Sequence, residues 1–243
     1  MHSRTLRDLR FRRDGLSPDC LCYLEHKLAR VERDERRRRS FLRRLREALF
    51  RTDWEREYLE AYLEKRTLVV GCGRGIEVLG LGAVGVDVDL AALRVAAELR
   101  RSVDGSAGAF AAADGAYLPF RDGSFDTVFS DNVVEHLPGA TLPGHFREVA
   151  RVLRPGGRYV FNTPNRLFED PPRPGHVSLH TYAEWEEIAR PAGFREFVTP
   201  RRRSGPAEPL DWKKRMEIRF AERAFRLGVS RSGVRMVVIL ATR

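Results

Sequence analysis

The sequence predicts an α/β fold: a doubly wound, mostly parallel seven-stranded sheet with an antiparallel edge strand, preceded by N-terminal helices. Three observations carry this. A β-branched run, Thr67–Val70, leads straight into three glycines in five residues. From there strand-type and helix-type segments alternate, the pattern of a parallel sheet covered by helices. The last two strand-type runs, Phe194–Val198 and Val234–Thr242, lie late in the chain and predict an antiparallel edge pair, which mixed sheets tolerate.

Taken in order, residues 1–66 read as a basic helical appendage. Phe41, Leu42, Leu45 and Leu49 recur at helical spacing among arginines. Thr52 and Glu55 have the spacing of a capping box and open a second helix to about Lys65, with Trp54, Tyr58 and Tyr62 on one face. The Arg36–Arg39 run reads as a solvated helix face. The domain proper is expected at 67–243. Its other strands are predicted at Ala83–Val88, Phe110–Ala113, Asp126–Ser130 and Arg158–Asn162, its helices at Leu90–Arg100, Leu142–Leu153 and Tyr182–Pro191. The stretch from Gly75 to Asp87 is short, so its helix has about two turns. An Arg-rich insertion, 201–233, separates the last two strands and has a helical pattern around Trp212–Leu227.

Composition narrows the function. No apolar run approaches the roughly 20 residues of a membrane-spanning helix. The basic start has no apolar segment behind it, so no signal peptide is expected and the predicted location is cytoplasmic. Three cysteines make no disulfide framework. Cys20, Cys22 and His26 make a poor zinc signature without a second ligand pair, and no metal is expected. The net charge of +10 divides into +6 for residues 1–66, −3 for 67–195 and +7 for 196–243. The basicity therefore lies outside the glycine-rich segment.

A strand running into Gly71-Cys72-Gly73-Arg74-Gly75 makes a tight turn at the strand's carboxyl end, the edge at which open α/β sheets bind ligands. Glycine there permits positive φ and close approach of a ligand to the backbone, although a plain strand–helix turn would carry the same pattern. Asp87 ends the second strand, with Val88 beside it. Its carboxylate can accept from both hydroxyls of a ribose. The structural alternative is an N-cap for the following helix, a role Asp89 fits better. Asp114 follows the third strand, where a carboxylate can accept from an adenine amino group, with Gly115 next to it. F-S-D-N-V-V-E-H-L follows strand four and V-L-R-P-G-G-R-Y-V-F-N-T-P-N surrounds strand five.

In this order the five pieces resemble the class I S-adenosylmethionine-dependent methyltransferases over about residues 66–198. The resemblance implies a Rossmann-like fold and S-adenosyl-L-methionine as cofactor. It implies that Gly71, Gly73 and Gly75 approach the methionine part, Asp87 holds the ribose, Asp114 with Gly115 reaches the adenine, and Asn132 and Val133 sit near the sulfonium. Family members often carry an acid where this chain has Val69, which removes one contact to the cofactor's ammonium group.

Methyl transfer is an in-line displacement, and a hydroxyl acceptor benefits from a general base, usually histidine near neutral pH. His136, in E-H-L, and His176, in the Pro-rich loop after strand five, are the candidate catalytic residues; His136 can equally be a packed residue at a helix start. His180 shares that loop, and residues 170–180 are expected to form a lid over the acceptor. Asn162, Thr163 and Asn165 line the same edge. His2, His26 and His145 read as surface residues. The expected partner is a small-molecule O or N acceptor, sugar- or lipid-like, with an anionic one suggested by the Arg-rich ends. An RNA acceptor is the alternative, supported by Arg201–Arg203 and Lys213–Arg215, and a non-catalytic cofactor-binding interaction protein is the third reading. The sequence leaves the oligomeric state open.

Overall fold

The computed structural model describes residues 11–38, 66–103, 108–166, 172–198 and 236–241. The second N-terminal helix with Trp54, Tyr58 and Tyr62, the Phe41–Leu49 pattern, the 201–233 insertion and its Arg201–Arg203 and Lys213–Arg215 clusters lie outside the described residues. The chain divides into two compact units, one through Asp114 and one from Gly115.

The first unit runs α1 (Pro18–Arg38), β1 (Thr67–Val70), α2 (Ile76–Leu81), β2 (Val84–Asp87), α3 (Leu90–Ser102) and β3 (Ala109–Ala112). β1 and β2 pair in parallel, Leu68 opposite Val84, and β2 and β3 likewise, Val84 opposite Ala109. All four residues of β1 are buried, as a strand covered on both faces requires. α2 has six residues, the short helix its loop length allowed. Asp89 caps α3, its side chain accepting from Ala91 N and Ala92 N at 2.8 and 3.1 Å. α1 is built into this unit's core: Cys20 and Leu24 pack in one cluster with Ile76, Leu79, Leu99 and Val103. Cys22 of the same helix is exposed, so the two cysteines of C-x-C face different ways.

The second unit runs β4 (Phe125–Asp131), a 3₁₀ turn at Val134–His136, α4 (Leu142–Val152), β5 (Leu153–Thr163), α5 (Tyr182–Ala189), β6 (Glu196–Val198) and β7 (Met236–Ala241). β4 and β5 are parallel, Val128 opposite Tyr159. β7 runs antiparallel to both β5 and β6, with Val160 opposite Ile239 and Phe197 opposite Leu240. β5 starts five residues before the expected Arg158, at Leu153, which pairs with Phe125 across a register shift. Pro155-Gly156-Gly157 reads locally as a turn, and only the partner strand makes it an irregular strand segment. α5 begins with a full capping box between Thr181 and Glu184. The core is aromatic: Phe146 lies 5.8 Å from Tyr159, and Phe161 5.5 Å from Trp185, ring centre to ring centre. Among the described residues no helix is long and apolar enough to cross a membrane.

Candidate functional site

In the first unit β1 ends in a turn whose glycines all have positive φ: 68° at Gly71, 51° at Gly73 and 78° at Gly75. L side chains avoid that region, which explains the residue choice. The glycines are not equivalent. A Cβ on Gly75 would lie 2.5 Å from the Phe110 ring and 2.9 Å from Ala96, so packing also excludes a side chain there. A Cβ on Gly73 would meet nothing described within 4 Å, leaving open space over that peptide. Asp87 stitches the turn to the next loop. Its Oδ2 accepts from Gly73 N at 2.7 Å and its Oδ1 from Asp89 N at 2.9 Å. A carboxylate has about four lone-pair sites, so each oxygen can still accept a bond from a ligand. Val88 beside it is 70% exposed and Leu90 58%, an apolar surface next to the carboxylate. These features fit a nucleoside: open glycine backbone, a half-spent carboxylate and apolar side chains for a base to lie against. Cys72 is buried under the turn, and burial, with the Asp87 charge, pushes its thiol up to about 12. Asp114 is exposed just past β3.

In the second unit the chain leaves β4 through Asn132, the one non-glycine residue with positive φ (53°) among those described. Asparagine tolerates this conformation. Asn132 N donates to Asn162 O at 2.9 Å, and Asp131 Oδ1 accepts from the side-chain amides of both Asn132 and Asn162 at 2.9 Å. The turn carries Glu135 into the interior, where it is fully buried. Thr163 Oγ1 donates to its Oε2 at 3.2 Å, and Oε1 has no hydrogen-bond partner among the described residues. Burial raises the pKa of this carboxyl. Its backbone carbonyl accepts from Val177 N at 2.8 Å and Ser178 N at 3.0 Å, and Ser178 Oγ donates to Leu137 O at 2.5 Å. His136 Nδ1 donates to Gly175 O at 2.8 Å. The His136 and His176 rings lie 4.9 Å apart. The structure thus brings together the two histidines read from the sequence and adds Glu135, an acid in the apolar stretch V-V-E-H-L whose position was its only local signal. Gly175–Ser178, expected within a lid, is already tied to residues 135–137. His180 packs on Trp185 with ring centres 4.6 Å apart, and burial lowers its pKa.

His145 corrects the surface reading: it is fully buried. Nδ1 donates to Gly115 O at 2.9 Å, Nε2 lies 2.8 Å from Tyr159 OH, and that hydroxyl lies 2.9 Å from Ser130 Oγ. The signal was present, since His145 shares the apolar face of α4 with Leu142, Phe146, Val149 and Val152. Glu148 and Arg151 extend this clamp. Glu148 Oε2 accepts from Leu118 N at 2.8 Å, and Arg151 forks onto Glu148 while donating to Phe120 O and Leu118 O. α4 therefore fixes the chain from Gly115 to Phe120.

Residues 68–161 match the family described as a methyltransferase domain. The demethylmenaquinone methyltransferase of Mycolicibacterium vanbaalenii is 39% identical over 124 residues, covering 46% of this chain and 50% of the relative. A protein of Mycolicibacterium smegmatis named "Probable S-adenosylmethionine-dependent methyltransferase" is 34% identical over 137 residues, covering 52% and 51%. The chain spans about half the length of these curated relatives. Among solved structures, an S-adenosylmethionine-dependent methyltransferase from Archaeoglobus fulgidus superposes with a TM-score of 0.54 at 19% identity, covering 84% of this chain and 100% of that one. Phosphoethanolamine N-methyltransferase 2 of Haemonchus contortus, in complex with S-adenosyl-L-methionine, gives 0.56 at 18% identity over 77% and 51%. The fold is the α/β Rossmann-like methyltransferase fold.

Proposed function

We propose that this chain transfers the methyl group of S-adenosyl-L-methionine to an oxygen or nitrogen of a small-molecule acceptor. The observation that carries the reading is the Asp87 carboxylate, which braces the glycine turn and keeps lone pairs for a ribose. When bound, the cofactor supplies an electrophilic methyl group on a sulfonium. Gly71, Cys72 and Gly73 offer backbone to its amino-acid part, with Gly75 setting the turn; Asp87 holds the ribose hydroxyls, and Val88 lies against the base. Asp114 and Gly115 take the adenine edge, and Asn132 and Val133 the region of the sulfur, by resemblance to the family. The clamp from α4 holds Gly115 in a fixed conformation, which lowers the entropy lost on binding.

His136 is the proposed general base. Gly175 O can only accept, so Nδ1 carries the proton and Nε2 keeps its lone pair for an acceptor's proton. His176, against the same ring, is the second candidate. The relatives' names point to two different acceptors, demethylmenaquinone and phosphoethanolamine, so they do not select one. The anionic acceptor and the RNA alternative both draw on Arg-rich segments outside the described residues. The seven-stranded sheet with its antiparallel edge, the division at residues 66 and 67, and a cytoplasmic location belong to the same proposal. The parallel β1–β2, β2–β3 and β4–β5 pairs and the antiparallel β5–β7 and β6–β7 pairs support the first of these. Calorimetric titration with S-adenosyl-L-methionine and with its demethylated product tests the reading. Micromolar binding is expected, and no binding at millimolar ligand overturns it.

A further inference from the structure

Glu135, His136 and His176 each place one ligand atom within 4.8 Å of the others. Spacing alone does not mark these residues as metal ligands, because His136 and His176 are forty residues apart. What joins them is the set of backbone and side-chain hydrogen bonds between Gly175–Ser178 and residues 135–137. We propose that these three side chains form a binding site for one divalent transition-metal cation.

Two features besides proximity point to a cation. The first is the state of Glu135. The residue is fully buried, and Thr163 fixes one carboxylate oxygen while the other has no hydrogen-bond partner among the described residues. A buried carboxylate oxygen left unpaired is costly, and a cation is the partner that satisfies it without a donor group. The second is the state of His136. Metal-bound imidazoles commonly donate their other N–H to a carbonyl or carboxylate, which fixes the tautomer and the ring plane. Gly175 O already accepts from His136 Nδ1 at 2.8 Å, leaving Nε2 as the coordinating nitrogen. Gly175 itself has φ 87°, and a Cβ there would come within 3.6 Å of His136 Nδ1.

The donor set selects the metal. Two imidazoles and one carboxylate suit zinc, cobalt, ferrous iron or manganese better than magnesium or calcium, which prefer all-oxygen shells. Bonds of about 2.1 Å put donors on one tetrahedral ion roughly 3.4 Å apart, so side chains whose ligand atoms lie within 4.8 Å of one another close in by up to about 1.4 Å through rotation. Three protein ligands leave an open position for water or for an oxygen of a bound molecule. The cation takes the His136 Nε2 lone pair that the proposed function gives to an acceptor's proton. The two uses exclude each other, so a bound cation replaces the general-base role of His136, and its test stands apart from methyl transfer.

The test uses the full chain, stripped with a chelator and titrated with Zn²⁺ alone by calorimetry and with Co²⁺ alone by visible absorption. One equivalent per chain is expected, with ligand-field bands for Co²⁺. Glu135→Gln removes the charge at nearly constant shape, and His176→Ala acts at a partly exposed position. Each is expected to weaken binding tenfold or more, whereas His26→Ala, at the exposed C-x-C helix, changes nothing. No uptake by the wild type, or uptake lost with His26→Ala and kept in His176→Ala, overturns the site. Titration with S-adenosyl-L-methionine in excess chelator runs alongside. A failure there removes the proposed function and leaves the cation result standing, and the reverse holds equally.

Discussion

Replacing Asp87 with alanine is expected to do two separable things. It removes the acceptor for Gly73 N and Asp89 N, bonds of 2.7 and 2.9 Å. Hydrogen bonds to a charged partner are worth about 1.5–3 kcal/mol each, and water can replace part of that where the carboxylate is half-exposed, so the loss is about 2–4 kcal/mol of stability. In a domain of this size that lowers Tm by about 5–15 °C. It also removes the proposed ribose acceptor, which weakens S-adenosyl-L-methionine binding about ten- to a hundredfold. Asp87→Asn separates the two effects. Its remaining oxygen keeps one backbone bond and its amide faces the other donor, so both losses are expected to be intermediate. Thermal melts and calorimetric titration of wild type and both variants at the same pH provide the measurement. A folded Asp87→Ala protein that binds the cofactor as tightly as wild type refutes the ribose role. An unchanged Tm refutes the claim that this carboxylate organises the turn.

The two turn glycines should differ on replacement. Gly75→Ala meets Phe110 and Ala96 as well as positive φ and is expected to cost about 3 kcal/mol or more, while Gly73→Ala, strained only in its backbone, costs about 1–2 kcal/mol, read as shifts in urea midpoint. Thiol labelling of the native protein should modify the exposed Cys22 first, with Cys20 and Cys72 protected. Because burial pushes these two thiols up to about 11 and about 12, any native-state labelling of them keeps rising with pH beyond 9 instead of levelling off, and a plateau near 9 contradicts this. Glu148 is held below the usual carboxylate range chiefly by its hydrogen bonds with Arg151, so its contribution is present above the unfolded-state pKa and is lost as pH falls through the lower folded value. Glu148→Gln should cost about 1–2 kcal/mol near pH 7, with the gap to wild type closing as the medium is acidified below about 4; a constant gap rules the linkage out.

What the sequence made legible is what neighbouring residues encode. β1 falls on Thr67–Val70 as expected, Asp89 rather than Asp87 caps α3, and the glycine turn follows β1, because β-branching, capping chemistry and positive φ are local properties. α1 was readable as a helix but not as part of a core, since an amphipathic face does not name the surface that covers it. The buried polar residues were hidden for a stronger reason. Nothing near His145 says that Tyr159 and Gly115 will meet it, and nothing near Glu135 announces Thr163 or the backbone of Val177 and Ser178. A charged or imidazole side chain is tolerated inside only when such distant partners arrive, so its burial depends on the whole fold rather than on its own segment. The reactive groups of the candidate site could therefore be found one at a time, as glycines, acids and histidines at strand ends. The groups that orient them, Gly175 on His136 and Thr163 on Glu135, follow only from the tertiary structure. The cation proposal depends on those orienting groups. Without the Gly175 carbonyl and the orphaned Glu135 oxygen, His136 and His176 would be two histidines on a surface loop.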